Sequence, residues 1–386
     1  MSNYPLATST WDNKELEAIQ SIINSDNYTM GNHVRQFEKD FGKFINRKFC
    51  LMVNSGSTAN LISIASFFYT KNPMLKKGDE VIVPAVSWST TYFPLQQFGL
   101  KLKFVDIDMN TLNYNLDSLK SAITNNTKML VAVNLLGNPN DFEAINKIIK
   151  NKNIFIFEDN CESLGAEYNG KYTGTFGTIG TFSTYYSHHI STIEGGLIAT
   201  DNEELYHVLL SLRAHGWTRD LPKKNFVTKK SDNLFEESFR FVLPGYNVRP
   251  MEMSGAIGIE QLIKLPQLLK QRRENAKLFV SLFEKNPNYL IQKDIDKSSW
   301  FGFSLIINPD SNIKRKDVIK KLEKNKIECR PIVAGNFLRN DVMKYFNYEV
   351  HEKLRNANYI HDNGFFVGNS HRNLSKSINF LSDVLL

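Results

Sequence analysis

Apolar positions fall into short runs separated by stretches long enough to hold a helix. Residues 81–88, 103–108, 129–136, 154–159, 180–184 and 197–200 are rich in strand-forming side chains, whereas residues 59–69 and 141–150 place apolar side chains at helical spacing. This alternation predicts an α/β fold. MLVAVNLLG and NIFIF are almost unbroken in hydrophobicity, as strands covered on both faces are, so a mainly parallel sheet is expected. From about residue 250 the pattern changes to a long helical stretch ending near 284, followed by the strand-like WFGFSLII, helical spacing over 314–325 and a returning strand at 327–331. The reading is a large α/β domain over 1–249 and a smaller α+β domain over 250–386. No repeat of about 20 to 50 residues is present, which excludes a solenoid.

With 386 residues, 42% hydrophobic and 23% charged, the chain has the balance of a folded protein rather than a disordered one. Lys and Arg number 47 against 40 Asp and Glu, and the excess is spread along the chain. That suits an anionic small molecule; no clustered basic patch points to nucleic acid. No apolar run approaches the roughly 18 to 20 residues of a membrane span, and the start, MSNYPLATSTWDN, lacks the apolar core of a secretory leader. A cytoplasmic protein without membrane contact is expected. Cys50, Cys161 and Cys329 are too few and too scattered for a disulfide framework, and no Cys or His spacing makes a metal site, so reduced thiols and no metal are expected.

Four segments carry candidate chemistry. In VNSGSTANLISIASFF, Ser55, Gly56, Ser57 and Thr58 precede an apolar helix; its unpaired N–H groups and dipole suit a phosphate, and an ordinary helix cap is the alternative. IFIFEDNCESLGA puts Glu158, Asp159 and Glu162 at the end of a buried strand, where open α/β sheets form their ligand crevice. A carboxylate there can hold a protonated ring nitrogen, or ligate a metal, or cap a loop. Trp88, after another strand, offers a flat wall for a ring or a core side chain.

The fourth segment, GTFSTYYSHHISTIEGGLIAT, is the most specific. Its spacing S-x-x-x-S-H-H-x-S-T-x-E-G-G resembles the active-site segment of the fold-type I sugar aminotransferases, the pyridoxal-phosphate proteins of the DegT/DnrJ/EryC1/StrS family. That family normally carries a Schiff-base lysine where this chain has His188. An imidazole cannot anchor the cofactor, but it moves protons near neutral pH. Further segments, among them GNPNDF, RAHGWTRDLPKKN, GYNVRPMEMSGAIGIEQL, SSWFGF and IECRPIVAGNF, are similar to the histidine-bearing 3-dehydratase branch of the family along the whole chain.

The resemblance implies an aspartate aminotransferase-like fold with a mainly parallel seven-stranded sheet. It implies pyridoxal 5'-phosphate or pyridoxamine 5'-phosphate held noncovalently, with Gly56, Ser57 and Ser183 on the phosphate and Trp88 on the ring. Asp159 would pair with the pyridine nitrogen, and Glu162 stands where many relatives have Gln near the ring hydroxyl. Asn247 would reach a phosphate of the neighbouring subunit in a homodimer with composite sites. His215, Arg249 and Arg330 are candidate substrate or subunit contacts, or solvated and structural charges. The implied reaction uses L-glutamate as amine donor and removes the C3 hydroxyl of GDP-4-keto-6-deoxymannose, with His188 as proton carrier and ammonia released, on the way to colitose. Three rivals stand beside it: an ordinary sugar aminotransferase using a lysine from elsewhere, an iron–sulfur relative acting on CDP-hexuloses, whose cluster would need about four cysteines, and a noncatalytic sugar-nucleotide sensor.

Overall fold

The computed structural model describes residues 4–385, so the first three residues of the opening segment lie outside it. Its centre is a sheet built from β1 (Phe49–Val53), β2 (Glu80–Pro84), β3 (Lys101–Val105), β4 (Thr127–Val133) and β5 (Phe155–Asp159). After a two-residue pair, β6 (Glu167–Tyr168) and β7 (Lys171–Tyr172), follow β8 (Ile179–Ser183) and β9 (Gly196–Thr200). The order is β1-β9-β8-β5-β4-β2-β3, and only β9 runs antiparallel to its neighbours. β2, β8 and β9 are buried at every position, and the unbroken apolar runs of β4 and β5 are buried at all but one position each, as in a sheet covered on both faces.

The sheet has eight strands, one more than expected. A three-residue strand from late in the chain, Tyr348–Val350, pairs parallel with β3 from Leu102 to Phe104. It is too short to register as a period, and it covers an edge that would otherwise be open. Charge ties it there: Glu349 pairs with Lys101 at 2.6 Å and with buried Lys103 at 3.5 Å.

The long helix is Glu252–Phe283, with Pro266 inside it. Its N-terminal half packs on the helices Asn13–Ser25 and Asn32–Ile45, and its C-terminal half enters a second core with Phe303, Leu322 and Phe365. That core rests on an antiparallel four-stranded sheet that includes Tyr289–Ile291, Gly302–Ile307 and Gly364–Gly368. The expected strand at 327–331 shrinks to Cys329–Arg330. Tyr4 bridges to Ile327, so the start of the chain is tied to this later unit. Among the described residues no helix is long and apolar enough to cross a membrane.

Candidate active site

Strand ends make the site. Ser55 follows β1 and caps the helix Gly56–Ser66 by accepting a hydrogen bond from Thr58 N. Gly56 and Ser57 are the first helical residues, whose N–H groups have no acceptor within the helix. Glycine is required at 56, since a Cβ there would stand 2.7 Å from Ser183 Cβ and 3.0 Å from Cys161 Sγ. Beyond β2, Trp88 precedes the helix Ser89–Gln97 and is 57% exposed. It is therefore a wall and not a core residue.

Asp159 ends β5 and is buried. Its Oδ2 accepts from Asn60 Nδ2 at 2.9 Å and Thr91 Oγ1 at 2.8 Å, and its Oδ1 accepts from Cys161 N at 3.1 Å. With the Thr91 proton committed to Asp159, the Ser87 hydroxyl donates to Thr91 at 2.8 Å. Glu158 points the other way and caps a loop, accepting from Gly174, Phe176 and Gly177 N–H groups.

Glu162 accepts from Leu136 N at 3.0 Å. Burial, helped by the nearby Asp159 charge, pushes its carboxyl up to about 7. Near neutrality a large share of it is therefore protonated and uncharged.

His188 is half-buried on the same wall, with Nδ1 shut off from solvent and without a partner among the described residues. Phe301 meets its ring edge-on at 5.1 Å and Tyr185 at 5.8 Å. Burial first, and then the Arg272 charge, lower the imidazole to about 3. It stands as a free base across the neutral range. The neighbouring His189 is buried and donates from Nε2 to Ser299 O at 3.1 Å, since a carbonyl can only accept.

Seven expected residues, Gly56, Ser57, Trp88, Asp159, Glu162, Ser183 and His188, line one cavity of about 520 Å³. No lysine lines it among the described residues. Four others lie elsewhere. His215, Asn247 and Arg249 form a separate cluster: Arg249 Nε donates to Asn247 Oδ1 at 3.2 Å, and its guanidinium lies 5.5 Å from the Trp217 ring. Arg330 lines another cavity, of about 610 Å³, with Arg315 and Glu328. The larger cavity holds none of the strand-end groups, so volume does not locate the chemistry.

Sequence reasoning missed Asn60 and Thr91, which hold Asp159. The available signal was faint: Asn60 is one of two polar residues, with Ser63, in the run ANLISIA. Cys50, Cys161 and Cys329 are free thiols. No group of three or more His, Cys, Asp or Glu is arranged to hold a metal among the described residues.

Pyridoxal phosphate, the cofactor the resemblance implies, fits this cavity. Two helix-start amides and the Ser57 and Ser183 hydroxyls suit its phosphate, and the anchored Asp159 carboxylate suits its ring nitrogen.

The fold and the site together are those of a pyridoxal-phosphate sugar enzyme, and the chain belongs to the DegT/DnrJ/EryC1/StrS aminotransferase family, which matches residues 9–375. Within it, the chain is 60% identical over 387 aligned positions, covering 100% of both chains, to GDP-4-keto-6-deoxy-D-mannose 3-dehydratase of Escherichia coli O55:H7. Two crystal structures superpose with a TM-score of 0.99 at 60% identity and complete coverage of both chains. One is a variant of GDP-4-keto-6-deoxymannose-3-dehydratase with bound GDP-perosamine, and the other is that enzyme with a trapped PLP-glutamate geminal diamine.

Proposed function

We propose that this chain is a pyridoxal-phosphate-dependent 3-dehydratase that converts GDP-4-keto-6-deoxy-D-mannose to GDP-4-keto-3,6-dideoxy-D-mannose, a precursor of colitose in surface polysaccharide. One oxygen leaves the sugar at C3, and L-glutamate becomes 2-oxoglutarate and ammonia. The observation that carries this reading is an imidazole, His188, in a cofactor-sized cavity without a lysine. When bound as pyridoxamine phosphate, the cofactor supplies the amine that takes up the C4 ketone and a ring that accepts electrons as the C3 hydroxyl departs.

Every other role falls to the chain. Gly56, Ser57 and Ser183 bind the phosphate. Trp88 stacks on the ring, and Asp159 keeps its nitrogen protonated, with Asn60 and Thr91 fixing that carboxylate. Glu162 orients the ring hydroxyl. His188 Nε2, the ring nitrogen opposite the buried Nδ1, takes the proton from the cofactor methylene and returns it toward the leaving hydroxyl. An amine in its place would attack carbon; an imidazole restricts the residue to proton transfer.

The working unit is a homodimer. Leu234, Phe235 and Phe239 are 83%, 88% and 67% exposed in the single chain, an apolar surface that a second copy would cover. Asn247, with His215 and Arg249 beside it, then completes the neighbouring site, and Arg330 remains a candidate substrate contact. Residues 1–249 form the cofactor-binding unit and 250–386 the smaller unit, with the Tyr348–Val350 strand and the Tyr4 bridge crossing between them. The reaction belongs in the cytoplasm, where free thiols persist and nucleotide sugars are made.

The test is to supply GDP-4-keto-6-deoxymannose, L-glutamate and pyridoxal phosphate, and to measure ammonia and 2-oxoglutarate. Equal amounts of the two are expected. Tight sugar-nucleotide binding without ammonia would identify a sensor instead, and a stable aminated sugar would identify a transferase.

A further inference from the structure

Arg272 lies on the helix Glu252–Phe283 and is only 3% exposed. Its Nη1 donates to three backbone carbonyls, Trp300 O at 3.3 Å, Phe301 O at 3.2 Å and Asn369 O at 3.0 Å. Burial brings its pKa down to about 10, and no anion among the described residues opposes that fall. Burying a guanidinium without a carboxylate is costly. The carbonyls it holds explain why it is there.

Those carbonyls belong to a bend that supports the site. Trp300 has a left-handed backbone, φ +49°, and its carbonyl also accepts from Asn369 Nδ2 at 2.9 Å. On one side the bend is joined to the Leu135–Gly137 turn: Ser299 N donates to Gly137 O at 2.9 Å and Phe301 N to Leu136 O at 3.0 Å. The same turn caps Glu162 through Leu136 N. On the other side Ser299 O receives His189, and the Phe301 ring lies against His188 at 5.1 Å and His189 at 5.8 Å.

We propose that Arg272 is a positioning residue for His188: it clamps the Trp300–Phe301 bend that forms the floor under the imidazole, and its unpaired charge opposes a second cation there. The role of His188 rests on the dehydratase reading, whereas its placement by Arg272 does not. Asp159, Cys161, Glu162, Glu194 and Tyr185 face His188 from the cavity, and His189, Phe301 and Arg272 back it. Arg272 adds to burial in keeping His188, His189 and His371 neutral, and Arg273 acts further on His189.

The test uses the full-length protein loaded with pyridoxamine phosphate, in wild type, Arg272→Met, Arg272→Lys and Phe301→Leu forms. Arg272→Met is expected to lower kcat about tenfold or more through misplacement of the base, while KM and cofactor affinity stay within about twofold. Histidine-selective NMR should show the His188 titration midpoint rising in Arg272→Met, with Arg272→Lys close to wild type. Phe301→Leu should lower kcat on its own and add little to Arg272→Met, since the two act as one unit. An unmoved His188 midpoint in folded Arg272→Met overturns the proposal. If that variant does not fold, an unchanged kcat in Phe301→Leu does so. The titration is read without substrate, so it stands even if no ammonia is formed.

Discussion

Asn60 donates from Nδ2 to Oδ2 of Asp159 at 2.9 Å, and its amide is locked in that sense because its own Oδ1 accepts from Thr181 at 2.6 Å. The carboxylate therefore faces the cavity in one orientation before any ligand arrives. Asn60→Leu leaves a buried carboxylate oxygen short of a donor, a loss of about 1 to 3 kcal/mol. Equilibrium dialysis should show pyridoxamine phosphate binding weakened about tenfold or more, each tenfold being about 1.4 kcal/mol. Unchanged binding would mean that Thr91 and the Cys161 amide suffice.

His188→Asn keeps a polar side chain on the cavity wall and removes the base. Turnover, followed as ammonia release, should fall by about 100 to 10,000-fold, with cofactor and sugar-nucleotide affinities retained. A modest loss would assign the proton to another group.

Glu162 and His188 oppose each other in the pH dependence of stability. The folded chain holds the Glu162 proton between its ordinary 4.5 and about 7, so this group favours folding less as pH rises through that window. His188 is lowered from 6.5 to about 3, so the unfolded chain takes up its proton first and stability is lost as pH falls through that range. Glu162→Gln mimics the protonated acid. It should retain activity at pH 6 and abolish the inflection near pH 7 in both cofactor binding and melting temperature; an inflection that persists belongs to another group.

Composite sites predict complementation. When His188→Asn and Asn247→Ala chains, each inactive, are unfolded and reassembled together, half of the random dimers are mixed, and each mixed dimer holds one intact site. About a quarter of wild-type activity should return. No recovery would place Asn247 in its own chain's site.

The parts of this site that the sequence discloses are those at strand ends and in the segments just after them. Gly56, Ser57, Asp159, Ser183 and His188 stand where an apolar run stops and small or polar residues take over, and that break is visible without coordinates. Asn60 and Thr91 are the fifth and third residues of their helices, where a polar residue reads as ordinary helical surface. Arg272 is hidden more thoroughly: within LLKQRRENAK it looks like one more solvated charge, and only the packing of that helix against the 298–301 bend buries it. The strand Tyr348–Val350 escapes notice because three residues carry no period.

A cavity wall with no lysine among the described residues also changes how the protein relates to the cell's vitamin supply. A cofactor held there by contacts alone would act as a reagent that arrives and departs, so dilution is expected to yield the empty protein and output to follow the free vitamer pool. Scarcity of that nutrient would then slow the deoxygenation of the sugar before it affected enzymes that hold their vitamer by a covalent bond.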